Sequence, residues 1–197
     1  STPTPVKMGG GDDGSAVTDA EMQQAADVLA NPDDLNLTIF MDGGRATPAF
    51  QQYIDTICQN RGDCVGILSS PFSAEDSNDY LNEVKDYRQQ SLVLNSSFSA
   101  IYSSHVLISD KFNDREIFVS PDGYAARAIS ETASNFEIWF PPAGYTRGAL
   151  NVLDVRRRYT KGERDVLYQA GINPIKFSPT KGIAIFGQKT LLTRASA

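Results

Sequence analysis

The spacing of apolar residues along the chain follows two different periods. Apolar positions three and four residues apart predict amphipathic helices, because those positions share one helix face. Short continuous apolar runs bounded by turn residues predict buried strands. The predicted helices cover residues 18–30, 48–60, 75–90, 124–135 and 161–170, and the predicted strands cover residues 35–41, 63–69, 100–108, 116–119, 174–177 and 183–186.

Local signals at the ends of several segments support these predictions. Thr18, with Glu21 three residues later, predicts a capping box at the start of the first helix. Thr47 followed by Pro48 predicts an N-cap with proline in the first helical position. Residues 178–181 join the last two apolar runs as a hairpin turn.

The order of the elements predicts the fold class. Strand, helix, strand, helix and strand in succession are typical of a parallel sheet with right-handed crossovers. We predict an α/β fold with a mostly parallel sheet flanked by helices and a C-terminal β-hairpin. Residues 1–17, which contain several glycines and prolines, predict an N-terminal loop, and residues 18–197 predict a single domain.

Composition narrows the classes of function. The 197 residues include 18 Lys and Arg against 24 Asp and Glu, which gives a net charge of −6. This balance argues against a protein that binds nucleic acid by neutralising phosphates. The longest apolar runs are far shorter than the roughly 18 residues of a membrane span. The two cysteines, Cys58 and Cys64, predict neither a disulfide framework nor a zinc site. We therefore expect no nucleic-acid and no membrane partner.

His105 is the one histidine of the chain and therefore the candidate general base of a serine hydrolase. Asp42 directly follows a predicted strand and is the candidate acid, with a serine as the nucleophile. The chain lacks a Gly-x-Ser-x-Gly elbow, and His105 lies inside a predicted strand. We interpret His105 as a structural residue and keep a hydrolase that uses Asp42 and His105 as an alternative function.

Residues 182–190 differ by one residue from a phosphate-binding P-loop. The inserted Gln188 shifts the lysine, and the interior of the segment predicts a strand whose N–H groups pair with neighbouring strands instead of phosphate. The spacing of Asp, Cys and His residues fits neither a calcium nor a zinc site. We therefore predict no cofactor and no metal.

Arg156, Arg157 and Arg158 form the one dense basic cluster of this acidic chain. Two interpretations stay open: a solvated loop, or a patch that meets an acidic surface of another subunit, such as residues 76–79 or 12–13. Opposed charges steer docking and register more than they add affinity. The three arginines are therefore the candidate subunit interface.

Three segments in the C-terminal third follow one another in a recognisable order. They are Pro142–Gly148, Gly171–Ile175 and Gly182–Leu191, and a glycine- and aspartate-rich run at 9–14 precedes them. This ordered set resembles the tail sheath proteins of contractile-tailed, T-even-like bacteriophages. Their motifs read Pro-Ala-Gly-x-x-Arg-Gly, Gly-x-Asn-x-Ile and Gly-x-x-x-x-Gly-x-(Arg/Lys)-Thr. The resemblance covers nearly the whole chain.

The resemblance implies a structural and mechanical protein instead of an enzyme. It implies an α/β domain related in topology to subtilisin but without the catalytic residues. Sheath subunits polymerise as a helical sleeve around the tail tube and contract to drive the tube through the host envelope for genome ejection. The expected partners are other copies, the tail tube protein and the baseplate. The expected location is the virion, after synthesis in the host cytoplasm.

The resemblance also implies that the chain is an internal piece of a longer sheath protein. Sheath subunits are linked by terminal arms that add strands to neighbouring sheets, and we expect the hairpin at 174–186 to offer such an edge. The sheath of a related contractile injection system shares these motifs and stays open as a further alternative.

Overall fold

A computed structural model describes residues 14–193, so most of the predicted loop over residues 1–17 lies outside the described residues. The helices in the described part are α1 (Asp19–Ala26), α2 (Pro48–Arg61), α3 (Phe72–Asp76), α4 (Tyr80–Asp86), α5 (Asp122–Asn135), α6 (Gly144–Arg147) and α7 (Lys161–Gln169), with a 3-10 turn at Asp27–Leu29 and a π-helical turn at Tyr87–Leu92. The strands are β1 (Ile39–Met41), β2 (Val65–Ser69), β3 (Ser99–Ser103), β4 (Val106–Asp110), β5 (Arg115–Val119), β6 (Ala149–Leu150), β7 (Asp154–Val155), β8 (Ile172–Ser178) and β9 (Gly182–Ile185).

A six-stranded sheet in the order β1-β2-β3-β8-β9-β6 lies at the centre of the fold. Strands β1, β2, β3 and β8 are parallel, whereas β9 runs antiparallel to both β8 and β6. A second, antiparallel sheet has the order β5-β4-β7. The prediction of an α/β fold with a mostly parallel sheet and a C-terminal hairpin is confirmed.

Local sequence signals determine where the first helices begin and end. The Thr18 hydroxyl accepts the N–H of Glu21 (3.3 Å), and the Glu21 carboxylate accepts the N–H of Thr18 (2.7 Å), which is the predicted capping box. Pro48 is the first residue of α2, as predicted. Gly62 ends α2 with a φ of 73°, a left-handed conformation that glycine adopts without steric cost.

Apolar side chains cover both faces of the six-stranded sheet. Successive residues of β2 point to opposite faces, so Leu68 packs with Leu167 of α7 in one cluster and Ile67 packs with Ala125 and Ala128 of α5 in the other. Full burial of such a side chain contributes about 1.5–3 kcal/mol. A parallel sheet requires this cover on both faces.

The predicted strand over residues 100–108 is wrong as a single element. β3 ends at Ser103, and β4 begins at Val106 in the other sheet. His105 lies in the break, where its buried backbone N–H donates to the Glu75 carboxylate (2.8 Å) instead of to a neighbouring strand. The apolar runs on both sides are strand-like, so hydrophobic pattern alone joins them.

The predicted helix over residues 75–90 is divided into α3 and α4. Ser77 has an extended backbone with a ψ of 154°, and its hydroxyl accepts the N–H of Asp79 (3.2 Å). Ser and Asp side chains compete in this way with the hydrogen bonds of a helix. The division leaves Glu75 in the last turn of α3, where it is fully buried.

The hairpin β8–β9 does not lie at the edge of the sheet. β6 pairs with β9 through Ala149 opposite Ala184 and Leu150 opposite Ile183, so this part of the outer edge of β9 is covered. The expectation of a free edge within residues 174–186 is corrected for these positions. The outermost strands of the six-stranded sheet are β1 and β6.

Candidate functional site

The three segments that carry the sequence motifs meet beside the hairpin β8–β9. The N–H of Ile185 donates to the carbonyl of Gly148 (2.8 Å), and the N–H of Phe186 donates to the carbonyl of Pro174 (2.9 Å). The ring of Tyr145 lies 6.1 Å from that of Phe186, centroid to centroid. We call residues 142–148, 171–175 and 182–191 together the motif junction.

Asn173 holds the chain that follows β9 against β8. Its side-chain oxygen accepts the N–H of Lys189 (2.8 Å), and its side-chain nitrogen donates to the carbonyl of Lys189 (2.7 Å). Asn173 is fully buried, so these bonds are shielded from water. Further along, the N–H of Leu191 donates to the carbonyl of Ser99 (2.8 Å) at the start of β3. The last motif is thus fixed to two neighbouring strands.

Two glycines of the motif junction lie where a side chain does not fit. A Cβ atom on Gly187 would be 2.6 Å from Asn173 Oδ1 and 2.9 Å from Asn173 Cα. A Cβ atom on Gly148 would be 2.8 Å from Ala143 Cα and 3.0 Å from the carbonyl oxygen of Pro142. Because backbone atoms cannot rotate away as side chains do, glycine is required for this close packing.

We expect Gly187→Ala to lower the free energy of unfolding by about 1–3 kcal/mol, because the added methyl group displaces Asn173 from its bonds with Lys189. The matched control is Gly162→Ala in α7, where a Cβ atom meets open space. This control is expected to raise the free energy of unfolding by up to about 1 kcal/mol through helix propensity. Urea denaturation measures both changes, and equal stability of Gly187→Ala and the parent would contradict the packing argument.

A cavity of about 380 Å³ opens at the motif junction. Pro141, Ala143 and Phe186 contribute apolar surface to it, and Tyr168 is the one titratable side chain in its lining. General acid–base and nucleophilic catalysis both need an activated group with a positioned partner. Because the lining offers no such pair of groups, it favours noncovalent docking over catalysis at this site.

Asp42 and His105 have separate partners in the structure. The Asp42 carboxylate accepts the N–H of Ser69 (2.7 Å) and the side-chain amide of Gln51 (2.6 Å). His105 Nδ1 lies 3.0 Å from a carboxylate oxygen of Glu75. The two residues of the hydrolase alternative are therefore not paired, and this geometry agrees with a structural role for His105.

Glu75 is the centre of a buried polar network that we did not predict. Its carboxylate accepts hydrogen bonds from four residues: Ser70, Ser103, Ser104 and His105. The hydroxyl of Ser103 lies 2.9 Å from the carboxylate and also 2.8 Å from the hydroxyl of Tyr159. The network joins α3 to the ends of β2 and β3. The sequence signal for it is the polar residues that directly follow these two apolar strands.

Arg156 of the basic cluster is engaged within its own chain. Its guanidinium forms a salt bridge with Asp76, and it lies over the rings of Phe72 and Phe118 at 5.7 and 5.6 Å. Asp76 belongs to the acidic surface that the sequence suggested as a partner on another subunit. In the single chain, this pairing is intramolecular.

Arg157 and Arg158 differ in their accessibility. Arg157 donates to the carbonyls of Glu75 and Ser77, the latter at 2.9 Å, which ties the cluster to α3. Arg158 pairs with Asp154, and its side chain is 57% exposed. The role of the three arginines as a subunit interface stays a prediction, and Arg158 is the most accessible of them.

Within residues 14–193, no helix has the length and apolar character to cross a membrane. The same residues contain no group of three or more His, Cys, Asp or Glu side chains suited to a metal ion. Cys58 and Cys64 are buried free thiols, and burial raises the pKa of Cys58.

Comparison with known proteins identifies similar sequences. Residues 16–191 match the family described as phage tail sheath protein central domain. The chain is 26% identical to the tail sheath protein of Enterobacteria phage T4, a match that covers 92% of this chain and 30% of the T4 protein. It is 29% identical to the tail sheath protein of Vibrio phage KVP40, over 96% of this chain and 31% of that protein. The chain thus spans about 30% of the length of these relatives.

Two solved structures have a similar fold. One chain of the anti-feeding prophage baseplate matches with a TM-score of 0.66 and 18% identity, over 90% of this chain and 44% of that chain. The contracted helical sheath of the anti-feeding prophage matches with a TM-score of 0.67 and 17% identity, over 92% of this chain and 46% of that chain. At these identities the similarity shows a common fold.

Proposed function

The chain belongs to the phage tail sheath protein central domain family, and we propose on that basis that it is part of a structural subunit of a contractile tail sheath. The family match over residues 16–191 carries this proposal. The relatives are tail sheath proteins and not enzymes. The hydrolase alternative is therefore set aside, in agreement with the separate partners of Asp42 and His105.

In this proposal, subunits polymerise as a helical sleeve around the tail tube and contract to drive the tube through the host envelope. Heterologous contacts that do not close produce a helix. Two packings that differ by a few kcal/mol per subunit supply the work when many subunits switch together, without a nucleotide or other cofactor. The partners are other copies, the tube protein and the baseplate. The subunit is made in the host cytoplasm and resides in the virion.

The hydrogen bonding inside the chain supports a subunit that moves as a rigid body. Asn173 and the close-packed Gly148 and Gly187 join the three motif segments. The network around Glu75 fixes α3 to the ends of two central strands. Rearrangement between two packings then takes place at contacts between subunits and leaves the interior of each subunit unchanged.

The proposal also includes two finer statements about the fold. The first is that residues 18–197 form one domain. Two spectroscopic probes of unfolding are then expected to report the same single cooperative transition. The second is that the topology is related to that of subtilisin. The test is to superpose the parallel strands on those of a subtilisin-type hydrolase, with the same strand order in both as the expected result.

We expect Arg158→Glu to weaken assembly while leaving the fold intact, because Arg158 is exposed and its reversal places like charges against an acidic neighbour. Arg127→Glu is the matched control, since Arg127 is also 57% exposed and also has a carboxylate partner four residues away. Sedimentation of polymers and the thermal midpoint report assembly and folding separately. Unchanged assembly of Arg158→Glu would remove this residue from the interface.

The proposed function is tested by expressing the complete protein that contains this chain and imaging it by electron microscopy. Tubular polymers with helical order are the expected result. Monodisperse globular particles over a wide range of protein concentration and salt would count against a sheath subunit.

A second candidate function is the sheath of a contractile injection system other than a phage tail. The fold match to the anti-feeding prophage sheath favours it, whereas the relatives identified by sequence are phage proteins. Mass spectrometry of purified particles distinguishes the two, because a phage sheath copurifies with a DNA-filled capsid and an injection-system sheath does not.

A further inference from the structure

We infer that two different surfaces of this chain dock onto each other in successive copies, an inference that rests on the proposed sheath function. One surface is a basic groove that Lys161, Arg164 and Lys176 line around the ring of Phe186, with Lys181 beside the neighbouring ring of Tyr145. The other surface is an acidic segment, residues 27–35, which precedes β1. The basic groove of one copy receives the acidic segment of the next.

The basic groove lies between α7 and β8. A cavity of about 260 Å³ is lined by Lys161, Arg164 and Lys176, with Asp165 as the one carboxylate in the lining. The Lys176 ammonium lies 4.3 Å from the ring centre of Phe186, and Lys181 lies 5.6 Å from the ring centre of Tyr145. Within the described residues, none of the four cations forms a salt bridge, so their charge is available to a partner.

The acidic segment is the counterpart of this groove in charge. Residues 14–44 contain neither Lys nor Arg. Three exposed carboxylates lie on the segment: Asp27, Asp33 and Asp34. The buried guanidinium of Arg61 donates to the carbonyls of Leu29 (2.7 Å) and Leu35 (2.8 Å), so the segment is held in shape by the chain itself. A preformed segment loses less conformational entropy when it binds.

Both surfaces have an apolar centre surrounded by charge. Phe186, in the basic groove, is 43% exposed. Val28 and Leu35, on the acidic segment, are 69% and 43% exposed. Protein interfaces have this anatomy, with apolar anchors at the centre and a polar rim. The two surfaces therefore match in polarity as well as in charge.

The positions of the two surfaces determine the kind of assembly. The acidic segment leads into β1 at one end of the sheet, and the groove lies on β8, with β2 and β3 between them. The surfaces differ, so each contact uses one of each and leaves one of each free. A contact of this kind, repeated with a constant offset, produces an open helical row of copies.

A second copy fits the groove better than a nucleic acid does. Phosphate groups could pair with the four cations, but the exposed ring of Phe186 and the matching acidic segment on the same chain favour a protein partner. The net charge of −6 also opposes the approach of a polyanion. Binding of nucleic acid in the groove is therefore an outcome that the test must distinguish.

The test is a charge swap in the complete protein that contains this chain. One variant carries Lys161→Glu with Lys181→Glu, a second carries Asp33→Lys with Asp34→Lys, and a third carries all four substitutions. All four residues are exposed, so the thermal midpoint is expected to stay close to that of the parent. The matched control exchanges two exposed charges elsewhere, Lys111→Glu with Glu116→Lys in β5 and the turn before it.

Each two-site variant is expected to raise the protein concentration needed for polymerisation by about tenfold or more, because like charges meet at the contact. The four-site variant is expected to recover most of the loss, and the control is expected to polymerise like the parent. Polymerisation of both two-site variants at the parental concentration, or failure of the four-site variant to recover, would overturn the inference.

Failure of the inference and failure of the sheath proposal give different results. A parent that forms tubes while the two-site variants form the same tubes overturns the inference alone. The parent could instead form no tubes but still self-associate, with the two-site variants abolishing this association and the four-site variant restoring it. That result would overturn the sheath proposal and support the pairing of the two surfaces. Tight binding of a labelled DNA duplex at about 0.15 M salt, lost in Lys161→Glu with Lys181→Glu, would assign the groove to nucleic acid instead.

Discussion

Glu75→Ala is expected to lower the free energy of unfolding by about 3–5 kcal/mol, a large fraction of the stability of a domain of this size. The substitution removes the shared acceptor of three serine hydroxyls and of the backbone N–H of His105, all of them buried. A buried donor that loses its acceptor costs more than the bond itself contributed, because no water replaces the acceptor. Urea denaturation followed by circular dichroism measures the loss.

Two further variants separate the network from the charge. Glu116→Ala removes an exposed carboxylate of β5 and is expected to change stability by less than about 0.5 kcal/mol. Glu75→Gln keeps one acceptor oxygen but turns an N–H donor towards the other donors, so an intermediate loss is expected. A loss below about 1 kcal/mol for Glu75→Ala would show that the network is dispensable to the fold.

The contribution of Asp42 to the free energy of unfolding is expected to fall as the pH rises from about 4 to about 6. Burial raises the pKa of Asp42 from 3.8 to about 6; the N–H of Ser69 opposes this rise and the charge of Asp122 adds to it. In this pH range the folded state holds a proton that the unfolded state has released. Unfolding therefore releases a proton in this range, so the free energy of unfolding falls as the pH rises, by about 3 kcal/mol at most for this group.

The contribution of Asp42 is isolated by comparison with Asp42→Asn, which cannot titrate. Other carboxylates have a lowered pKa, among them Asp63 beside Arg61, and they act in the opposite direction at more acidic pH. The difference in unfolding free energy between the parent and Asp42→Asn cancels these common terms. That difference is expected to change between pH 4 and 6 and to be constant above about pH 7. Parallel curves across the whole range would contradict the raised pKa.

Elements with strong local signals could be predicted from the sequence. The first helix begins at its capping box, α2 begins at Pro48, and the last two strands form the expected hairpin. The apolar run around β2 is also a strand, two residues shorter than predicted. In each case the information lies within a few residues of the element, where propensity and turn chemistry act.

Elements whose limits depend on distant residues could not be predicted in this way. The break between β3 and β4 exists because His105 binds Glu75, which is 30 residues away in sequence. The motif segments resemble those of sheath proteins, but their convergence depends on Asn173, whose partner Lys189 is 16 residues further along. The cover of β9 by β6 likewise depends on a two-residue strand with no pattern of its own. Hydrophobic periodicity contains no term for such contacts.

The attachment of Leu191 to the sheet has a mechanical consequence. Its N–H is bonded to Ser99 of β3, and its carbonyl accepts a hydrogen bond from the buried guanidinium of Arg88 (3.1 Å). A tensile force applied to the chain at residue 193 therefore enters the domain through β3, which shares the load with β2 and β8 on either side. An outer strand under the same force would detach one bond at a time. A pull at this end is thus transmitted as displacement of the whole domain, and little of the work is lost to local unfolding.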